Sequence, residues 1–298
     1  MESQFSKKIS VGIPTYNRPH SLKKKLDALL KQTYLNLEII VSDNCSPDKN
    51  VKKIIDEFCK KDPRIVSCFQ EKNIGLVNNF HFVLNKSTGS FFMWMADDDL
   101  IEDNDFIKKL FDSLILHNSD FVFPECYYLN KDGSRTSGLK NVYTSCSSKF
   151  DYLKAFTTSY SCLEFYGLYN MSAFNKEKDF IINDVVVCPD LLYIPNLLLN
   201  HKVRFVPETY FIYNHVSSAD TFQRNLNLFR DRQIVIKELI AEFSATEKLR
   251  PEERKVIVTN ILTHYEFILK QQLSIPKLKS VRIKFFNKIK LIMGIGKG

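Results

Sequence analysis

Between Ile9 and Phe123 the chain alternates short apolar runs with longer segments in which apolar residues recur at helical spacing. The short runs are rich in Ile, Val and Phe, which favours buried strands, and the alternation is typical of a parallel sheet with crossover helices. The predicted strands are Ile9–Ile13, Glu38–Ser42, Ile65–Phe69, Phe91–Met95 and Phe121–Phe123.

Two of the intervening segments predict helices that begin just beyond the carboxyl end of a strand. Each follows a proline, which suits the first turn of a helix, and each carries apolar residues three or four positions apart. The first contains Leu22, Leu26, Leu29 and Leu30 after Pro19, and the second contains Val51, Ile54, Ile55 and Phe58 after Pro47.

The alternation fades after residue 124. Tyr127–Ser148 is predicted to be irregular or a hairpin around Asp132-Gly133, because that dipeptide favours a turn. Pro189–Leu199 is predicted to be helical despite its internal proline, and Phe205–Pro207 begins another short strand.

Residues 222–270 are predicted to be mostly helical, with a break near Pro251. The pattern divides the chain into an α/β domain, residues 1–220, and a mainly helical C-terminal region, residues 221–298.

The bulk composition is that of a globular protein and predicts no signal peptide or membrane span. No stretch approaches the roughly 18 to 20 uninterrupted apolar residues that a spanning helix needs. The number of cysteines is odd and no two of them form a C-x-x-C pair, so we expect reduced thiols and a cytoplasmic protein. The cysteines are Cys45, Cys59, Cys68, Cys126, Cys146, Cys162 and Cys188.

The net charge of +8 is concentrated at the C-terminal end, where no acid follows Glu266. An apolar stripe interrupted by Lys288 runs through the same segment. We favour an interfacial helix that docks on an anionic membrane; a solvated helix packed on the rest of the chain is the alternative. The stripe consists of Leu278, Val281, Phe285, Ile289 and Ile292.

Polar residues follow the predicted strands at their carboxyl ends, where open parallel sheets bind ligands. Asp97-Asp98-Asp99 follows the fourth strand, and adjacent carboxylates favour a divalent cation; the alternative is a solvated loop that caps a helix from about Asp103. Asp43 follows the second strand. It could accept a hydrogen bond from a base or a ribose hydroxyl, or simply form a turn.

Four segments in order carry a resemblance to a known family: Val11–Arg18 (VGIPTYNR), Glu38–Ser46 (EIIVSDNCS), Asn73–Gly75 (NIG) and Ala96–Asp99 (ADDD). In this order and spacing they resemble the family 2 glycosyltransferases of the GT-A fold, of the bacterial surface-polysaccharide type. The resemblance covers roughly residues 8–125. It implies an α/β fold with a mostly parallel sheet, and transfer of a sugar from a nucleotide-activated donor.

The resemblance also implies residue roles. Asp98 and Asp99 match the family's last two motif acids and would hold Mn²⁺ or Mg²⁺, and His215 lies in a segment where relatives bring a histidine to the diphosphate or metal. The chain departs at Ala96, so the usual ribose contact falls to Asp97 or is absent. The implied nucleotide-binding residues are Pro14, Thr15, Tyr16, Asn17, Arg18, Asp43, Asn73 and Asp97.

The family places a catalytic base at the start of a helix in its C-terminal half, a position that Asp190 fits. Pro189 replaces the family's usual Glu, and Asp190 could instead cap the helix. Asp184 and Glu164 are reserve candidates. Transfer with inversion at the sugar is implied by the resemblance.

The predicted function is therefore metal-dependent transfer from a UDP- or CDP-linked donor to a glycan acceptor. The resemblance suggests an O-antigen or capsule intermediate on polyprenyl diphosphate, reached from the inner face of the membrane. A nucleotidyltransferase is an alternative, but Gly12 alone supplies no Gly-rich phosphate loop. A nucleic-acid-binding module is another, although the positive charge is terminal rather than interleaved with aromatic residues on one face.

Overall fold

A computed structural model of the chain describes residues 7–130, 132–159, 163–176, 180, 190–213 and 235–272. The contacts divide the chain into unit 1, Met1–Val235, and unit 2, Ile236–Gly298. The predicted boundary at residues 220 and 221 lies outside the described residues.

Within the described residues of unit 1, eight strands form one sheet in the order β3-β2-β1-β4-β7-β5-β6, with β8 paired to β5. The strands are β1 (Ile9–Thr15), β2 (Leu37–Asp43), β3 (Ile65–Phe69), β4 (Phe91–Trp94), β5 (Phe121–Leu129), β6 (Arg135–Ser137), β7 (Leu168–Asn170) and β8 (Val203–Tyr213).

The helices of unit 1 lie between these strands, as the alternating pattern predicts. They are α1 (Pro19–Leu30), α2 (Lys49–Lys61), α3 (Leu76–Lys86), α4 (Phe106–Leu116), α5 (Lys140–Tyr143), α6 (Lys149–Ser159) and α7 (Asp190–Asn200), with a 3₁₀ turn at Leu163–Phe165. Crossover helices cover a parallel sheet, so its strands are buried on both sides. Accordingly, every residue of β1 is buried.

The predicted mostly parallel sheet is confirmed, with one addition. β1 pairs in parallel with β2 and β4, but β7 inserts antiparallel between β4 and β5. A three-residue strand leaves no periodic pattern in a sequence, so β7 was not predicted. Gly167, just before it, permits the close approach, because a Cβ there would lie 2.3 Å from the carbonyl oxygen of Val122.

Three predicted elements differ in extent from the structure. The strand predicted at Phe121–Phe123 continues as β5 and turns into β6, which confirms a hairpin. The strand begun at Phe205–Pro207 runs to Tyr213, with the register shifting past Pro207 because proline cannot donate to the ladder. The helix expected from Asp103 begins at Phe106 instead. Asp103 lies in a turn before the helix, where it accepts hydrogen bonds from the N–H groups of Asp105 and Phe106.

Trp94, at the end of β4, lies at the centre of the aromatic core of unit 1 and is fully buried. Its ring stacks on Phe165 at 4.5 Å and meets Phe92 edge-on at 4.7 Å between centroids. Such pairs add to the stabilisation from burial alone. The acidic run therefore leaves the sheet from a tightly packed strand.

The structure also describes α8, residues 235–245, of which all but the first residue belong to unit 2, and α9, Pro251–Gln272, in unit 2. The predicted helices and the break before Pro251 are confirmed for these residues. Arg254 closes the connection by donating to the carbonyl oxygens of Ser244 and Thr246 at 3.5 and 3.2 Å. None of the helices in the described ranges combines the length and the apolar character that crossing a membrane requires. The basic C-terminal stripe lies outside those ranges.

Candidate functional site

The site lies at the carboxyl ends of three neighbouring parallel strands. Thr15, the last residue of β1, pairs with Asp43, the last residue of β2. On the other side of β1, the N–H of Met95 donates to the carbonyl oxygen of Gly12 at 3.0 Å, so the chain leaving β4 stays alongside β1. The three polar segments singled out in the sequence therefore meet at one edge of the sheet.

Direct side-chain contacts join the first segment to the acidic run. The Thr15 hydroxyl donates to Asp97 Oδ2 at 2.6 Å, and Arg18 NH1 donates to Asp97 Oδ1 at 2.9 Å. The same guanidinium nitrogen lies 2.8 Å from Asp98 Oδ2. Thr15, Arg18, Asp97 and Asp98 are thus brought together although up to 83 positions separate them in the chain.

Burial and ion pairing act in opposite directions on the pKa values of this cluster. Asp97 is only 3% exposed, and burial raises the pKa of its carboxyl despite the opposing contributions of Thr15 and Arg18. Burial alone would lower the pKa of Arg18, but Asp97 and Asp98 outweigh it and raise that pKa. Arg18 is therefore a permanent positive charge between two carboxylates.

A second cation, Lys25, lies near the acidic run and was missed in the sequence. Lys25 is 3% exposed on the buried face of α1. It lines a small cavity of unit 1 together with Ala96 and Asp99. A lysine within the apolar stripe of Leu22 and Leu26 is the signal that could have revealed it.

The predicted binding residue Asp43 takes part in a turn. Its Oδ1 accepts hydrogen bonds from the N–H and the hydroxyl of Ser46, as the turn interpretation requires. The Ser46 hydroxyl oxygen in turn accepts the N–H of Asn17 at 2.7 Å, so the loops after β1 and β2 are joined. Both loops are tight, since Asn17 and Cys45 adopt left-handed backbone angles of φ 56° and 61°.

Asn73 lies in the loop before α3, which Asn44 anchors to β2. Asn44 Nδ2 donates to Asn73 Oδ1 and to the carbonyl oxygen of Gly75, both at 3.1 Å. Asn44 Oδ1 accepts the N–H of Ile74 at 2.8 Å. Asn44 was not predicted as a site residue; its position directly after Asp43 was the available signal.

The remaining predicted residues differ in how far the structure describes them. Pro14 is buried in β1, whereas Tyr16 is 44% exposed at the rim of the site. Asp190 is the first residue of α7, and its side chain lies outside the described residues, as do Asp184 and His215. Glu164 is fully buried, and its carboxylate accepts a hydrogen bond from the hydroxyl of Tyr143.

The backbone shows where the segment carrying His215 begins. The N–H and carbonyl of Ile212 exchange hydrogen bonds with Leu100, each at 2.9 Å. Leu100 directly follows Asp99, so the end of β8 leaves the sheet beside the acidic run. Sequence spacing alone could not predict this, because Leu100 and Ile212 are far apart in the chain.

Two carboxylates of the run remain as candidates for holding a cation. Asp98 is 17% exposed at its side chain and Asp99 is 4% exposed overall. Nowhere in the described ranges are three or more His, Cys, Asp or Glu side chains arranged as a group that could hold a metal ion. Mg²⁺ commonly takes one or two carboxylates together with substrate phosphates and water, and the Asp98–Asp99 pair fits that ligand set.

A mostly parallel sheet with polar loops and an acidic run at its carboxyl edge defines an α/β protein with a ligand site of the kind that open sheets form. Residues 10–177 match the family described as Glycosyl transferase family 2, and the chain belongs to that family. The predicted resemblance is thereby confirmed.

Curated relatives match over part of the chain. Glycosyltransferase GlyA of Streptococcus pneumoniae is 34% identical over 124 residues, covering 42% of this chain and 17% of that protein. The GalNAc(5)-diNAcBac-PP-undecaprenol beta-1,3-glucosyltransferase of Campylobacter jejuni is 36% identical over 94 residues, covering 31% of this chain and 30% of that protein. The chain thus matches less than a third of the length of either relative.

Solved structures share the fold over most of the chain. S. aureus TarS 1-349 in complex with UDP-GlcNAc superposes with a TM-score of 0.66 at 21% identity, covering 86% of this chain and 71% of that chain. Mannosyltransferase PcManGT from Pyrobaculum calidifontis, in complex with GDP-Man and Mn²⁺, gives 0.58 at 13% identity, covering 96% and 81%. The predicted GT-A fold is confirmed.

Proposed function

We propose that this protein transfers a sugar from a nucleoside diphosphate donor to a hydroxyl of a glycan acceptor, with Mn²⁺ or Mg²⁺ held by Asp98 and Asp99. The observation that carries the proposal is the contact of Thr15 and Arg18 with Asp97 and Asp98, at the edge where parallel sheets bind ligands. Family membership and the donors bound by the structural neighbours support it.

The nucleoside would lie over the ends of β1 and β2. Tyr16 offers an exposed ring at the rim for stacking, and Asp43 keeps one carboxylate oxygen that makes no hydrogen bond within the described residues. That oxygen can accept an N–H of a base or a ribose hydroxyl. Asn73 would contact the nucleotide from the loop that Asn44 anchors.

The diphosphate would lie next to the acidic run, where Arg18 can bind phosphate oxygens as well as carboxylates. A cation on Asp98 and Asp99 would offset the charge that develops on the departing diphosphate. His215 is proposed to approach the same group, since β8 ends beside Leu100.

Transfer forms a bond between the acceptor oxygen and the anomeric carbon while the bond to the diphosphate breaks. The nucleoside diphosphate leaves with that electron pair. Asp190, at the first turn of α7, would take the proton of the acceptor hydroxyl, and attack from the opposite side would invert the anomeric configuration.

We further propose a lipid-linked glycan intermediate of O-antigen or capsule type as the acceptor, reached at the inner face of the membrane. The Campylobacter relative is named for a substrate that is linked to undecaprenol. The basic C-terminal segment after Glu266 suits an anionic lipid surface. Sedimentation with phosphatidylglycerol vesicles but not with phosphatidylcholine vesicles is expected, and equal sedimentation would refute the membrane step.

The proposal is tested with donor nucleotides and acidic-run variants. UDP, CDP, GDP and dTDP are screened for a thermal shift with and without Mn²⁺, and at least one is expected to stabilise the protein. Asp98→Asn and Asp99→Asn should each abolish the Mn²⁺-dependent shift and slow transfer about a hundredfold or more. Asp112→Asn, which removes an exposed acid on α4, is the matched control.

Three outcomes would contradict parts of the proposal. A lack of response to all four nucleotides would argue against donor binding, and normal transfer by both Asp98→Asn and Asp99→Asn in chelator would refute the cation role. Retention of the donor's anomeric configuration in the product would refute inversion.

A further inference from the structure

Lys25 carries a buried ammonium group for which the proposed transfer has no use. It lies on the face of α1 that packs against the rest of unit 1, together with Leu22, Leu26 and Leu29. The neighbouring Lys24 is exposed on the same helix. Lysine is almost never fully buried unless an opposite charge balances it.

The opposite charge comes from the acidic run. Lys25 and Asp99 line a cavity of about 10 Å³ with Ala96, which is about the space of one water molecule. Burial lowers the pKa of Lys25, and the three carboxylates oppose that fall, Asp99 most strongly. The Lys25 side chain makes no direct hydrogen bond within the described parts of the chain, so its attraction to the carboxylates acts through space.

We infer that Lys25 is an internal counter-cation of the acidic run: it offsets the charge of Asp99 in the cation-free site and lowers the affinity of the run for a free divalent cation. The inference rests on the proposed function only in taking Asp98 and Asp99 as the cation site. Arg18 already lies between Asp97 and Asp98, so Lys25 brings a second positive charge to the three carboxylates.

This charge balance has a consequence for the order of binding. A divalent cation that arrives alone meets two positive side chains, whereas the diphosphate of a donor brings negative charge and further oxygen ligands. Cation and donor therefore favour each other's binding, and the coupling is reciprocal. The described residues offer the cation carboxylates but no third His, Cys or acidic group arranged with them.

The pairing of Lys25 with Asp99 is tested first without metal. Unfolding is followed in chelator for Lys25→Met, Asp99→Asn and the double variant, using the fluorescence of Trp94, the single buried tryptophan. Lys25→Met should lower the midpoint by about 4 °C or more, since breaking a buried pair leaves an uncompensated charge. Asp99→Asn in the same chain should restore most of the loss, and Lys24→Met should change little.

Additive losses in the double variant would overturn the inference. If Lys25→Met alone does not fold, folding of the double variant counts as the expected rescue, and failure of both variants to fold overturns it.

The effect on cation affinity is measured by calorimetric titration with MnCl₂ alone. Lys25→Met, or Lys25→Gln if the Met variant is unstable, should bind Mn²⁺ at least about tenfold more tightly than the unaltered protein, because one repelling charge is gone. Lys24→Met should bind as the unaltered protein does. A merely structural role for Lys25 would weaken Mn²⁺ binding. Where the unaltered protein binds Mn²⁺ measurably, equal or weaker binding by the Lys25 variant therefore overturns the inference.

The two measurements separate this inference from the proposed function. If the rescue by Asp99→Asn is seen but no variant binds Mn²⁺, the counter-charge role stands and the proposed cation step fails.

Discussion

The hydrogen bond from Thr15 to Asp97 offers a direct test of how the site is held together. Both residues are buried, at 2% and 3% exposure, and the two oxygens are 2.6 Å apart. That distance is typical of a hydroxyl bound to an ionised carboxylate. Thr15→Val keeps the shape and the β-branching of the side chain, so it removes the hydrogen bond without opening a cavity.

The expected cost can be worked out from this geometry. A hydrogen bond to a buried charged group contributes about 1.5–3 kcal/mol, and its loss leaves one Asp97 oxygen without its donor. Arg18 still binds the other oxygen, so the carboxylate keeps one partner. We expect Thr15→Val to lower the free energy of unfolding of unit 1 by about 1.5–3 kcal/mol. Each kcal/mol corresponds to a fall of roughly 2–4 °C in the melting midpoint.

Thr157→Val supplies a matched control on α6. Thr157 is as buried as Thr15, but its hydroxyl donates to neutral carbonyl oxygens, those of Leu153 at 2.9 Å and Lys154 at 3.2 Å. The same chemical change there should cost about 0.5–1.5 kcal/mol, because the acceptor is uncharged. Urea unfolding in chelator, followed by Trp94 fluorescence, measures both variants. If the two variants lose the same free energy of unfolding within about 0.5 kcal/mol, the charge of the Asp97 carboxylate does not strengthen the Thr15 hydrogen bond.

Three further predictions concern the packing, the acid stability and the donor loop. Gly12→Ala should destabilise unit 1 by about 1–3 kcal/mol in urea unfolding, because its Cβ would lie 2.7 Å from Val83 Cγ2 and 2.9 Å from Phe92 Cζ; an unchanged midpoint would contradict this. The pKa of Glu38 is lowered because hydrogen bonds from Ser10 and Thr88 outweigh burial, so its stabilisation is present above its ordinary pKa of 4.5 and is lost as the pH falls through the folded pKa. Glu38→Gln should therefore flatten the acid side of the unfolding-versus-pH curve, and an unchanged slope there would speak against it. Asn44→Ala should weaken donor-nucleotide binding about tenfold in titration, because it releases the loop that contains Asn73. Asn85→Ala, at an exposed position of α3, is the control, and equal affinities of the Asn44 variant and the unaltered protein would show that the anchor is dispensable.

The sheet could be predicted from the sequence as far as its strands are long and buried on both faces. Runs such as Glu38–Ser42 have few exposed positions, so most of their residues are apolar and the strand can be recognised from the sequence. β7 has three residues, and its position between β4 and β5 depends on contacts made by Gly167 that no local pattern encodes. The sequence predicted too short a strand for β8, because a proline such as Pro207 usually marks the end of a strand.

The site could be predicted as a set of loops but not as a set of contacts. Parallel strands joined by crossover helices bring all their carboxyl ends to one edge, so polar residues that follow β1, β2 and β4 must converge whatever their distance in the chain. Which side chains touch depends on tertiary geometry: Arg18 reaches two carboxylates, while Asn44 turns toward the loop before α3.

Charge balance explains how the sheet can end in three adjacent acids of which two are buried. Asp97 and Asp99 would be costly to bury alone, because burial disfavours the ionised form. Arg18 reaches the run from the loop after β1, and Lys25 lies near the run on α1, the helix that directly follows this loop. The segment from Thr15 to Lys25 therefore supplies a hydrogen-bond donor and two cations to a single acidic run. A change in any of these three side chains should therefore alter both the stability of unit 1 and the affinity of the site for charged ligands.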